Sequence, residues 1–384
     1  MSAKRKAVKS KSAARTGQGG SAAARPTIEQ LRTKIDSLDE RIQALIAERA
    51  LCAREVGVVK GLTATADFYR PEREAQVLRR VVERNQGPLR NEEVVRLFRE
   101  IMSACLAQEE PLKIAYLGPE GTFTQSAVLK HFGHSVHALS VATIDEVFQE
   151  VEAGVADFGV APIENSSEGT VNIHTLDMFL VSPLKVCGEI ELRIHQHLMG
   201  KMSGLDKIKR VCSHPQSLAQ CRAWLSEHLA DVEKIPVGSN AEAARRARDE
   251  DGTAALAGDA AAELYGLKIL FSNVEDQADN STRFVVVGRK LFPPSGNDKT
   301  SLLVSARGTE GPGVLLHLLD PLARHGVSMT RIESRPSRRA KWDYVFFVDL
   351  EGHAEDPPVA KALAEIQKKA NLFKVLGAYP KAVL

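Results

Sequence analysis

The feature that most constrains this 384-residue chain is a stripe of apolar side chains near its start, repeating in steps of three and four. Ile28, Leu31, Ile35, Leu38, Ile42, Leu45, Cys52, Val56 and Val59 trace it. That spacing is a heptad seam and predicts one long helix packed against another. Thr27 and Gln30 stand where a capping box would start the helix. One seam position, between Leu45 and Cys52, is Arg49. A cation there is unfavourable unless an anion meets it. Two readings stand: a buried ion pair that sets register, or a pocket for an anionic ligand. Lys60 lies about three turns beyond Arg49 on the same face, whereas Arg32 is roughly 25 Å back along the axis. No small ligand spans that distance on one helix. An antiparallel helix from a second chain would bring its Arg32 beside Arg49 and Lys60, so the pattern predicts a dimer with two cationic pockets.

Composition narrows the remaining classes. With 43% apolar and 26% charged residues the chain reads as globular. No apolar run approaches the roughly 18 residues that cross a bilayer, so no membrane span is expected. Residues 1–26 read as a disordered basic tail without the apolar stretch of a signal peptide; composition leaves a transit peptide open. Residues 1–27 hold seven of the 51 Lys and Arg, which leaves 44 cations against 49 acids in the body. A net acidic body excludes a nucleic-acid platform. Five cysteines without a C-x-x-C read as reduced thiols and point to the cytoplasm. His131, His134 and His137 share a metal-like spacing, but Gly133 interrupts it and no carboxylate accompanies it, so neither metal nor cofactor is expected.

Three regions differ in pattern. Residues 27–110 read as helical, with Pro71 opening a second helix to about Arg84 and Asn91 a third to about Gln108. Residues 111–293 alternate short strands, Gly-rich turns and helices, which predicts an α/β unit with loops gathered at strand ends. Pro293-Pro294-Ser295-Gly296-Asn297 reads as a linker. Residues 299–384 then read as an α+β unit in the order βαββα.

The helical region resembles the all-helical chorismate mutases, an all-α bundle. The resemblance implies that Arg32 comes from the second subunit and that Arg49, Lys60 and Arg73 come from the first. Glu74 is then expected at the substrate hydroxyl. Arg70 stands where relatives often carry Asp, Cys105 where many have Ser, and Glu109 where many have Gln. A Claisen rearrangement needs no nucleophile or metal. It needs a folded dicarboxylate and positive charge at the breaking ether oxygen, a role that suits Lys60. Glu109 donates there only if protonated, so mutase activity is expected to rise toward acid pH.

Four motifs in the middle region resemble those of prephenate dehydratases: Gly118-Pro119-Glu120-Gly121-Thr122-Phe123-Thr124, Pro162-Ile163-Glu164-Asn165-Ser166, Ser213-His214-Pro215-Gln216 and Asn280-Ser281-Thr282-Arg283-Phe284. The resemblance implies two α/β lobes like those of periplasmic solute-binding proteins, with the site in the cleft. It also implies a catalytic Thr282 at the departing hydroxyl, Asn165 and Gln216 as polar orienters, and Ser166, Thr122 and Phe284 as lining. His214 is equally a cap or a catalyst, Glu164 equally a lobe-bridging salt-bridge partner or a residue of the site, and Arg283 a substrate orienter or a pair across the sheet. The last region resembles a phenylalanine-binding ACT domain through Gly313-Val314-Leu315 and Glu333-Ser334-Arg335-Pro336. Together these imply a bifunctional enzyme that turns chorismate into prephenate and prephenate into phenylpyruvate, inhibited by phenylalanine across a homodimer or higher assembly. Three rivals remain at this point: a solute receptor on the same scaffold, an arogenate dehydratase, and a mutase domain kept only for dimerisation.

Overall fold

The computed structural model of the chain describes residues 26–60, 69–108, 110–166, 173–306, 312–337 and 344–384. It divides into two units, Met1–Cys52 and Ala53–Leu384. Helix α1 (Ile28–Lys60) carries the heptad seam. The capping box forms as read: Thr27 N donates to Gln30 Oε1 at 3.0 Å, and Gln30 N to Thr27 Oγ1 at 3.2 Å. Along this helix, about 50 Å long, the seam is bare. Ile28 is 70% and Val59 86% exposed, and every aliphatic seam residue between them is exposed as well.

In the second unit, α2 (Pro71–Arg84) and α3 (Asn91–Leu106) form a helical pair. Arg79 of α2 donates to the Ser295 carbonyl at 3.3 Å and to its hydroxyl at 2.6 Å. Ser295 is itself buried and donates to Asp298 Oδ1 at 2.6 Å. The stretch expected to be a linker is therefore fastened into the packing.

Two sheets follow. The first holds β1 (Lys113–Leu117), α4 (Phe123–Phe132), β2 (His137–Val141), α5 (Ile144–Glu152), β3 (Phe158–Asn165), α6 (Ile173–Val181), β4 (Lys185–Arg193) and the late strand β10 (Ser281–Gly288). Its order is β2-β1-β3-β10-β4, with β1 parallel to both neighbours and β10 antiparallel to both of its own. The buried run of β3 suits a strand covered on both faces. The second sheet holds β5 (His197–Gly200), β6 (Arg210–Ser213), α7 (Pro215–Gln220), α8 (Arg222–His228), β7 (Glu233–Pro236), α9 (Asn240–Asp249), β8 (Thr253–Ala257), α10 (Asp259–Tyr265) and β9 (Lys268–Phe271), ordered β7-β6-β8-β5-β9. The chain leaves the first sheet after β4 and returns at β10, giving a two-lobed layout.

The last module is β11 (Asp298–Ala306), α11 (Val314–Arg324), β12 (Met329–Pro336), β13 (Tyr344–Glu351), α12 (Pro357–Lys369) and β14 (Ala370–Pro380), with sheet order β12-β13-β11-β14. The expected βαββα lacked β14, which pairs with β11 from Asp298↔Pro380 to Ala306↔Ala370. No turn residue separates α12 from β14, so the sequence carries no stop signal there. The module also shares a core with the first lobe. Val186, Val285 and Val287 form one cluster with Leu303, Val345, Phe347, Leu376 and Tyr379. A Cβ on Gly377 would lie 2.1 Å from the Val186 carbonyl oxygen, so only glycine lets β14 come this close to β4.

Candidate active sites

Between the two lobes lies a cleft of about 200 Å³. Its walls come from turns that follow strands. Leu117 ends β1 and Gly118, Thr122, Phe123 and Thr124 follow it, and Pro162 and Asn165 belong to the last half of β3. His214 and Gln216 follow β6, Gly238 and Ser239 follow β7, and Thr282 and Phe284 belong to β10. Helices α4 and α9 both begin on the cleft, where the first amide N–H groups of a helix have no intrahelical partner; α4 has no side-chain cap, and in α9 the Ser239 hydroxyl takes one of these amides, Glu242 N. Among the described lining residues there is no Lys, Arg, Asp or Glu. From these described residues an anion meets dipoles rather than formal charges.

At the floor sits a buried polar pair. Asn165 and Thr282 are register partners on β3 and β10. Asn165 Nδ2 donates to Thr282 Oγ1 at 2.9 Å, to Asn280 Oδ1 at 2.8 Å and to the Ser281 carbonyl at 3.1 Å. Since Asn165 donates to the Thr282 oxygen, the hydroxyl proton of Thr282 is left to point elsewhere.

Thr122, Asn165, Gln216, Thr282 and Phe284 thus line the cleft together. Ser166 does not: its hydroxyl accepts from Ser281 N at 2.9 Å and ties β3 to β10 outside the lining. His214 is the N-cap of α7, its Nδ1 accepting from Gln216 N at 3.3 Å. Sequence reading missed Asn240. Its Oδ1 accepts from Ser213 Oγ, Ser217 Oγ and His214 N at 3.0–3.1 Å, which organises the second lobe's wall. The available signal was Ser239 and Glu242 bracketing an otherwise alanine-rich helix; Ser239 does accept from Glu242 N at 3.0 Å.

On the helices, Arg32 is exposed and Arg49 half-buried on α1, and Arg73 is exposed on α2. Lys60 ends α1, but its side chain and the whole of Glu109 lie outside the described residues. Glu74 faces a small cavity of about 40 Å³ with Tyr69, Arg99 and His131. Burial raises its carboxyl despite Arg99, whose Nε lies 3.6 Å away. The histidine triplet disperses. His131 is half-buried, its Nε2 3.0 Å from the Tyr69 hydroxyl, and desolvation lowers it to about 3, while His134 pairs with Glu100. Among the described residues no three ligand-type side chains cluster as a metal site, and no helix is long and apolar enough to cross a membrane.

Comparison with known proteins settles the family. The chorismate mutase type II model matches residues 31–110, the prephenate dehydratase model 114–291 and the ACT domain model 300–367. A bifunctional chorismate mutase/prephenate dehydratase of Stutzerimonas stutzeri is 57% identical over 362 residues, covering 93% of this chain and 98% of that one. The chain belongs to the bifunctional chorismate mutase/prephenate dehydratase family. The protein of that name from Pseudomonas aeruginosa is 56% identical with the same coverage. Among solved structures, the prephenate dehydratase of Arthrobacter aurescens in complex with L-Phe matches with TM-score 0.66 and 34% identity, over 70% of this chain and 90% of that one. The chain is accordingly an enzyme with both activities, chorismate to prephenate and prephenate to phenylpyruvate, built from a helical mutase region, a two-lobed dehydratase and an ACT domain.

In the ACT domain Gly313 is the N-cap of α11 at φ +83°, a left-handed conformation that favours glycine, with Val314 and Leu315 in the first turn. On β12 the second motif alternates. Ser334 and Pro336 are exposed, whereas Glu333 and Arg335 turn inward. Arg335 meets Asp177 of α6 at 3.6 Å, so half of the motif addresses the dehydratase.

Proposed function

We propose the following residue roles for the two reactions and their control. In the dehydratase cleft, the N-terminal ends of α4 and α9 hold the carboxylates of prephenate, and Gln216 orients the substrate. As the ring carboxylate leaves as CO₂, its bond electrons aromatise the ring and expel the C4 hydroxyl. Thr282 donates a hydrogen bond to that departing oxygen, and Asn165 holds the threonine oxygen in place. A threonine hydroxyl is too weak an acid to act mainly by full proton transfer, so its contribution is electrostatic assistance and positioning. The observation that carries this reading is the buried Asn165–Thr282 hydrogen bond in a cleft whose described lining has no ionic side chain.

In the mutase, the bare seam of α1 supports a homodimer: a face this apolar and this long is normally covered. There Arg32 of one subunit joins Arg49, Lys60 and Arg73 of the other around chorismate, Glu74 takes the substrate hydroxyl, and a protonated Glu109 assists at the ether oxygen. Phenylalanine binds the ACT domain at Gly313, Val314, Leu315 and Glu333 to Pro336, and favours a low-activity state by binding it more tightly. The enzyme works in the cytoplasm, as an exposed free Cys52 suits a reducing compartment. The test is purified protein supplied with chorismate, following prephenate and phenylpyruvate with and without phenylalanine. Prephenate that accumulates without phenylpyruvate, or output indifferent to phenylalanine, contradicts the reading.

A further inference from the structure

Strands β3 and β10 show the cleft one face and the ACT domain the other. Thr282 pairs in register with Asn165, and Arg283 with Glu164. Side chains alternate along a strand, so Asn165 and Thr282 face the cleft while Glu164 and Arg283 project from the opposite side of the sheet. Arg283 there enters a buried ring of partners. Its Nε donates to Glu189 Oε2 at 2.9 Å, one terminal nitrogen to Asp349 Oδ2 at 2.6 Å, and the other to the Tyr379 hydroxyl at 2.9 Å. Asp349 and Tyr379 belong to β13 and β14 of the ACT sheet. Glu164 lies 3.7 Å from Arg283 and 3.3 Å from Arg331 of β12. Arg331 is bonded in turn to Glu333, the first residue of the proposed effector motif.

On the β4 side the ladder runs regularly through position 283, whereas the β3–β10 register shifts between Arg283 and Phe284. Of the four side chains that meet Arg283, two, Asp349 and Tyr379, come from the ACT sheet. We propose that Arg283 is a positioning residue for dehydration: from behind the sheet it sets the Asn165–Thr282 pair, and through Asp349, Tyr379 and the Glu164–Arg331 link it passes the state of the ACT domain to that pair. This rests on the reading of Thr282 given above. A shift of β12 or β13 on effector binding would move the guanidinium, and with it the threonine one residue away.

The test uses the full-length enzyme and reads dehydratase kcat and KM, phenylalanine inhibition relative to each variant's uninhibited rate, and phenylalanine binding by calorimetry. Arg283→Gln should lower kcat by about tenfold or more with KM within about twofold, and Arg283→Lys should recover part of the loss. Tyr379→Phe, which deletes one hydroxyl without emptying the core, should lower kcat by about threefold. Arg331→Gln should bind phenylalanine with near-parental affinity yet need at least about fivefold more of it for half-inhibition. If Arg283→Gln does not fold, the Tyr379 and Arg331 variants decide. Unchanged kcat in the Arg283 and Tyr379 variants, equal loss in Arg283→Gln and Arg283→Lys, or inhibition in Arg331→Gln that falls only in step with affinity would each overturn the proposal. Failure of the parental enzyme to bind phenylalanine would strike the effector reading alone, leaving the kcat comparison intact.

Discussion

Helix α1 and the β3–β10 strand pair both place polar chemistry on a repetitive element, but only one of them finishes its own site. The strand pair does: Asn165 and Thr282 are 2% and 8% exposed and joined by a hydrogen bond from Asn165 to the threonine oxygen, and Glu164 and Arg283 behind them are paired with bases and acids of the same chain. Helix α1 leaves its seam in solvent and Arg32 and Arg49 on one rod, about 25 Å apart. A strand can recruit neighbours from distant sequence because each sheet edge accepts another strand. A lone helix has no such edge and must wait for another surface. The dehydratase is therefore expected to behave as a property of the single chain, and the mutase as a property of the pair.

The sharpest break of that contrast is Thr282→Val. Phenylpyruvate formation should fall by about 10²–10³-fold while mutase turnover stays within about twofold; dehydration that survives the loss of the hydroxyl removes Thr282 from the chemistry. Arg49→Ala should do the reverse, with mutase turnover down about a hundredfold and dehydration intact. Equal mutase rates would mean that Arg49 only sets register. Next comes the paired change Leu38→Glu and Leu45→Glu, which charges the seam. Sedimentation should show a smaller species, mutase turnover should drop by about tenfold or more at low protein concentration, and dehydration per chain should hold. Loss of both activities together would dissolve the distinction. A smaller effect concerns Glu109→Gln, which should flatten a mutase profile that otherwise climbs toward acid pH; identical profiles dismiss Glu109 as a proton-dependent donor.

The smallest effect is thermodynamic. Burial lowers His131 to about 3, below the ~6.5 of an unfolded histidine. Between those values the unfolded chain binds the extra proton, so stability rises with pH through that window and falls as pH drops below about 6.5. From pH 6.5 to 5 this amounts to at most about 2 kcal/mol. Denaturant melts of His131→Gln should lose that slope, and a slope unchanged by the substitution assigns it to other groups.

The ACT domain sharpens the lesson from another side. Read from sequence it is detachable, behind a Pro-rich linker, so that deleting 299–384 should spare both activities. The shared cluster that joins Val285 and Val287 to Phe347 and Tyr379 argues otherwise for the dehydratase. Removing the module would strip an apolar face from the sheet that carries Thr282, at about 25 cal/mol for every Å² laid bare. Point substitution is the cleaner probe.

What could be read from the chain alone was local. The seam of α1, its Thr27–Gln30 cap, the Pro71 start of α2 and the strand-turn-helix motifs all depend on residues a few positions apart, where backbone geometry alone sets neighbours. Strand alternation likewise puts Thr282 and Arg283 on opposite faces before any fold is known. What those faces meet was decided by tertiary structure. Asn165 comes from 117 positions away, Asp349 from 66 and Tyr379 from 96. Nothing in the spacing of a chain encodes which distant carboxylate will arrive. Packing chooses it, because a guanidinium buried behind a sheet is tolerated only where acids from several strands converge on it.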